Sequence, residues 1–139
     1  MTGALAPDAP APEAPAVLAP VCLIVDDSRV VRKVARRILE QHGYRVEEAE
    51  NGLEGLQACR RALPRCVLLD WNMPVMNGMG LLKALRAEFG PDEPVVLFCT
   101  TENDAVHIAE ALEGGAQEYM MKPFDEEILV GKFSQAGLL

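Results

Sequence analysis

Short runs of branched apolar residues recur along this chain, and between them the apolar residues fall at helical spacing; no other feature limits the fold as severely. The runs are VCLIV (21–25), CVLLD (66–70) and VVLFC (95–99), joined by a more polar YRVEEA (44–49) and by QEYMM (117–121). Nearly continuous apolar runs of this length suit parallel strands covered on both faces. Val30, Val31, Val34, Ala35, Ile38 and Leu39 form one helical face after a Ser28 cap, with His42-Gly43 as the stop. Ala105, Ile108, Ala109 and Leu112 form another, ended by Gly114-Gly115, and weaker patterns cover 52–63, 79–89 and 125–136. Strands each followed by a helix predict an α/β sheet with right-handed crossovers.

Residues 1–20, MTGALAPDAPAPEAPAVLAP, hold five prolines and seven alanines with no period that could bury a face. They are expected to be a disordered or extended leader, with one folded domain over 21–139 and no room for a separate effector domain. A net charge of -8 without a Lys/Arg stripe argues against nucleic-acid binding and favours a protein partner. No apolar run approaches the roughly 20 residues of a membrane span, and the N-terminus lacks a secretory pattern, so a cytoplasmic location is expected. Cys22, Cys59, Cys66 and Cys99 form no C-x-x-C pair and are expected as buried, reduced thiols. His42 and His107 read as exposed helix residues without partners, Trp71 as partly exposed, and Met73, Met76 and Met79 as packing groups.

The polar residues are informative through their positions. Asp26 and Asp27 follow the first strand, Asp70 ends the third, Thr100 follows the fourth and Lys122 follows the fifth. In a parallel sheet those ends share one edge, where ligand sites form at the reversal of strand order. An Asp-Asp pair by itself could merely cap a helix, but three carboxylates in one cleft repel one another unless something offsets their charge. A hard cation with oxygen ligands does so, and Mg²⁺ is typically held by one or two carboxylates together with a phosphate. Asp70 is the candidate nucleophile, since a carboxylate can form an aspartyl phosphate. Lys122 and the Thr100 hydroxyl would stabilise phosphoryl oxygens, and Asn72 could lend its backbone carbonyl to the metal. Met73-Pro74 predicts a turn, and Asn77-Gly78 a φ > 0 step before the next helix.

With VDD at 25–27, DWNMPVMNG at 70–78, CTTEN at 99–103 and YMMKPF at 119–124, the chain resembles the receiver domains of two-component response regulators over nearly all of 21–139. The resemblance implies a flavodoxin-like (βα)5 fold, a doubly wound parallel sheet of order 2-1-3-4-5. It implies phosphorylation of Asp70 by a histidine kinase, Mg²⁺ handled by Asp26 and Asp27, and a Lys122 contact to the phosphoryl group. Thr100 and Tyr119 would form the switch, and a cis peptide is expected before Pro123. Among receivers, the single-domain chemotaxis regulators of the CheY type are the nearest in pattern, through Asp-Trp-Asn-Met-Pro, Glu102 and Tyr119. Asp104 and Ala105 depart from the lysines that the enteric chemotaxis regulator presents there. The implied protein is a monomeric phosphoacceptor, not a multi-turnover enzyme, that switches affinity for a flagellar switch component. A phosphorelay intermediate or phosphate sink, with a phosphotransfer protein as partner, uses the same residues. A phosphatase with an aspartate nucleophile would carry a second Asp where Asn72 stands. FSQAGLL ends the chain after the last helix, so no DNA-binding domain is expected.

Overall fold

A computed structural model describes residues 18–101 and 105–139. Residues 1–17 of the expected leader, and Glu102, Asn103 and Asp104, lie outside the described residues. The elements alternate as β1 (Val21–Val25), α1 (Arg29–Gln41), β2 (Arg45–Ala49), α2 (Gly52–Arg61), β3 (Cys66–Asp70), α3 (Gly78–Phe89), β4 (Val95–Thr100), α4 (Ala105–Glu113), β5 (Glu118–Met121) and α5 (Glu126–Gln135). All pairings are parallel, and the strand order is β2-β1-β3-β4-β5. The flavodoxin-like order implied by the resemblance is therefore the observed one.

Period-two alternation divides the strand residues between two cores. Cys22, Ile24, Cys66, Leu68 and Leu97 face Ala35, Leu39, Leu129 and Phe133 of α1 and α5. Leu23, Val25, Val67, Leu69, Val96 and Phe98 face Leu56, Leu81, Leu82, Leu85 and Ala111 of α2, α3 and α4. Each inner strand is thus covered on both sides, which is why its sequence is apolar at every step. All four cysteines are free and buried, as expected. Burial pushes the Cys59 thiol up to about 11 and that of Cys99 up to about 12, so neither is a reactive thiolate near neutral pH.

Local signals place the helix ends. Ser28 Oγ accepts the Val31 N–H at 3.3 Å, and α1 closes at His42 before Gly43 at φ 89°. Asn77 Oδ1 accepts the Gly80 N–H at 2.8 Å, and Asp125 Oδ1 accepts the Ile128 N–H at 2.9 Å.

The buried faces of two helices differ from those the apolar residues suggest. On α1, Val30 is 72% exposed and Val34 43%, whereas Arg32 is buried with Ala35, Ile38 and Leu39. The helix takes this phase because Arg32 finds partners inside: Nε bonds Glu48 at 2.8 Å and Nη1 donates to the Asp26 carbonyl at 2.7 Å. On α4, Ala105, Ala109 and Leu112 face solvent, and His107, Ile108 and Ala111 turn inward. A short helix with apolar residues all round leaves its phase to the surface it meets.

Two smaller expectations also change. Among the described non-glycine residues, the positive φ between β3 and α3 belongs to Val75 (φ 69°) and not to Asn77-Gly78. Gly78 is needed for close approach instead, since a Cβ there would overlap the Asp70 carbonyl oxygen. Thr100 is the last residue of β4 and does not follow it.

Candidate functional site

The order reversal at β1 opens a crevice beyond the strand C-termini, and four polar side chains converge on it. Asp26 and Asp27 follow the end of β1 and Asp70 ends β3, with one carboxylate oxygen from each within 4.8 Å of the others. Asp26 and Asp70 are buried and Asp27 is exposed. Lys122, just after β5, reaches back across the cleft: its Nζ lies 2.7 Å from Asp26 Oδ2 and 3.0 Å from Asp70 Oδ1. The Ser28 N–H donates to Asp26 Oδ1 at 2.8 Å, so both Asp26 oxygens are engaged. Asp27 is left as the acid most open to a solvent-borne ligand.

This geometry sets the charge states. Burial pushes the Asp70 carboxyl up to about 6; the Lys122 ion pair pulls it down, and Asp26 and Asp27 push it up again. Burial works against the Lys122 ammonium, but the bonds to Asp26 and Asp70 outweigh it and hold its pKa raised. The cleft thus sets three carboxyl groups against one ammonium, an excess of oxygen donors over cations. Hard oxygens at this spacing, one of them facing solvent, fit Mg²⁺. Asp26, Asp27 and Asp70 would hold it. Asn72, two residues after Asp70, is exposed.

Backbone bonds fix the frame. The Lys122 N–H donates to the Thr100 carbonyl at 2.8 Å, the Asp26 N–H to the Ala49 carbonyl at 3.1 Å, and the Gly78 N–H to the Trp71 carbonyl at 2.9 Å. The peptide between Lys122 and Pro123 is cis, as expected. Thr100 is buried, and Tyr119 stands partly exposed on the edge strand with Lys132 Nζ 4.6 Å from its ring centroid. Trp71 is partly buried, 5.1 Å from Phe98 between ring centroids. Met73, Met76 and Met79 pack against the core on this side of the sheet.

Two residues at the site escape a reading of the sequence. Arg32, through its bond to the Asp26 carbonyl, ties α1 to the acidic loop. Nothing local separates it from the other cations of RVVRKVARR. His107 is not the partnerless surface residue expected: its ring lies 4.4 Å from that of Trp71, tilted by 33°. His42 likewise bonds Glu126 at 3.1 Å.

Comparison with known proteins agrees with this geometry. The family described as response regulator receiver domain matches residues 22–134. The chain is 37% identical over 112 residues to the chemotaxis protein CheY1 of Helicobacter pylori, covering 79% of this chain and 90% of that protein. It is equally 37% identical to the chemotaxis protein CheY homolog of Campylobacter jejuni, covering 79% and 86%. The solved structure of chemotaxis protein CheY4 of Vibrio cholerae superposes with a TM-score of 0.79 at 32% identity, covering 85% of this chain and 98% of that one. Phosphorylation and Mg²⁺ binding at an acidic pocket are general in such proteins. On sheet order, cleft and sequence together, this chain belongs to the response regulator receiver domain family.

Proposed function

We propose that Asp70 accepts a phosphoryl group from the phosphohistidine of a histidine kinase and that the chain then switches its affinity for a protein target in chemotaxis signalling. The observation that carries this reading is the convergence of Asp26, Asp27 and Asp70 within 4.8 Å, with Lys122 reaching Asp70 at 3.0 Å. An ionised Asp70 oxygen attacks phosphorus and the imidazole leaves, so the acid must be deprotonated. With its pKa at about 6, most of it is so at neutral pH. When bound, Mg²⁺ supplies positive charge that offsets the carboxylates and the phosphoryl oxygens. Lys122 is poised to exchange its Asp70 contact for a phosphoryl oxygen, while keeping Asp26 neutralised through the 2.7 Å bond. The Thr100 hydroxyl, at the end of the neighbouring strand, donates to the same oxygens, and Asn72 borders the approach of a hydrolytic water.

The chain acts as a signalling phosphoacceptor and not as a multi-turnover enzyme on external substrates. Its relatives carry the name of chemotaxis proteins, which favours a flagellar switch component over a phosphotransfer protein as the target. Incubation with acetyl phosphate and Mg²⁺ should label the parent and leave Asp70→Asn unlabelled; equal labelling of the variant defeats the assignment. Recovery of a flagellar switch component by the phosphorylated protein supports the pathway, and recovery of a phosphotransfer protein replaces it with a relay. Among the described residues no helix is long and apolar enough to cross a membrane, in keeping with diffusion between kinase and target.

A further inference from the structure

Behind Thr100 lies a void of about 10 Å³ bounded by Trp71, Phe98, Thr100, His107, Ile108 and Tyr119. That is space for one water at most, whereas an apolar cavity that admits a benzene-sized ring measures about 150 Å³. Tyr119 is one of the lining residues, with Lys132 Nζ 4.6 Å from its ring centroid and Lys132 in turn 3.2 Å from Glu118. His107 lines it as well: its imidazole lies 4.4 Å from the Trp71 ring, and Trp71 lies 5.1 Å from Phe98. A close-packed interior does not compress to admit a ring, so a tyrosine can enter only where another group leaves.

We propose that His107 is the plug of this cavity, a positioning residue that holds the volume Tyr119 needs, so that switching exchanges one ring for the other. The proposal rests on the reading of Thr100 and Tyr119 as the switch. On phosphorylation, Thr100 turns toward Asp70, Tyr119 leaves Lys132 and moves inward, and His107 lifts from Trp71 with the first turn of α4. The helix is suited to such a shift, because Ala111 is its one buried residue among those described. A segment with so few buried contacts belongs to the low-stability end of a fold. The exchange thus moves α4 as well as the Tyr119 ring and changes the surface a partner meets on two elements.

The test uses the full chain with Mg²⁺ and beryllofluoride as an unreactive phosphoryl mimic. Tyr119 is followed by ring-labelled tyrosine NMR, with Tyr44 the only other tyrosine and Trp71 the only tryptophan for fluorescence. His107→Ala should move the Tyr119 resonance of the mimic-free protein toward the position the parent reaches with beryllofluoride. It should also lower the beryllofluoride concentration for half-conversion several-fold. His107→Phe keeps a ring on Trp71 and enlarges the plug, and should shift both readouts the other way. If both variants match a parent whose Tyr119 responds normally, His107 is not the plug and the switch reading survives. A parent Tyr119 that does not respond to beryllofluoride overturns the switch reading and the plug together.

Discussion

Asp70 meets two opposed demands: a nucleophile must be ionised, and a buried carboxylate beside two others resists ionisation. Its folded-state pKa of about 6 lies above the roughly 3.9 of an unfolded chain. The folded state therefore holds the extra proton between those values, and stability falls as pH rises through that window. Below about pH 4 the carboxyl is neutral in both states and the penalty is absent. In metal-free buffer, Asp70→Asn should thus be more stable than the parent at pH 7, by about 1–2 kcal/mol after allowing for the lost Lys122 pair. The difference should shrink toward pH 4, as urea unfolding at the two pH values would read. Val75 carries a different strain. It is 77% exposed at φ 69°, a conformation that disfavours a β-branched side chain by about 1–2 kcal/mol. Val75→Asn should raise the unfolding free energy measured in urea by about 1 kcal/mol while leaving acetyl phosphate labelling unchanged.

Among the elements, the start of α3 is the one most closely fitted to the site. Gly78 lets the helix begin directly under Asp70: a Cβ there would also lie 2.8 Å from Phe98 Cζ. Backbone cannot yield as a flexible side chain can, so Gly78→Ala must push α3 away from β3 and disturb the Asp70 carbonyl. A loss of about 2–4 kcal/mol is expected in chemical unfolding, together with slower labelling of Asp70. At the other end of α3 the chain is stapled by Arg86. Its guanidinium donates to the carbonyls of Gly90, Pro94 and Gly115 and to Gln117 Oε1, joining α3 to the segments that enter β4 and β5. Arg86→Ala would leave those acceptors without their donor far from the cleft. It should lower stability by about 2–3 kcal/mol and leave the extent of Asp70 labelling intact, which separates a fold effect from a site effect.

At the scale of the molecule, folding and metal binding share one set of charges. Lys122 neutralises Asp26 and Asp70 in the metal-free state, and a cation bound to the three acids takes over part of that work. Lys122→Met should therefore lower thermal stability without Mg²⁺ and gain more from added Mg²⁺ than the parent does. A ligand at 100 times its Kd stabilises by about 2.7 kcal/mol, and a melting series against Mg²⁺ would give the Kd of each protein. Asp27→Ala should flatten that series and abolish the Mg²⁺-dependent change in Trp71 emission. If Asp27→Ala melts and quenches as the parent does, the acidic cleft is not the metal site.

Strand positions, the Ser28 cap and the gathering of acids, threonine and lysine at one sheet edge were all legible in the chain itself. Each depends on neighbours in sequence: a buried parallel strand is apolar at every step, a cap bonds a residue three places on, and parallel strands present their C-termini together. The rotation of α4 about its own axis was not legible, because apolar residues surround much of it; nor was that of α1, because its phase is set by a buried arginine. The burial of Arg32 depends on Glu48 and Asp26, and the inward turn of His107 on Trp71, partners from other elements. The charge on Asp70 likewise follows from burial and from Lys122, which lies 52 positions away. The chain alone determined the elements, their order and the chemistry gathered at one edge. Tertiary packing alone decided which face of each helix turned inward and how the cleft charges balance, since both energies exist only once distant residues touch.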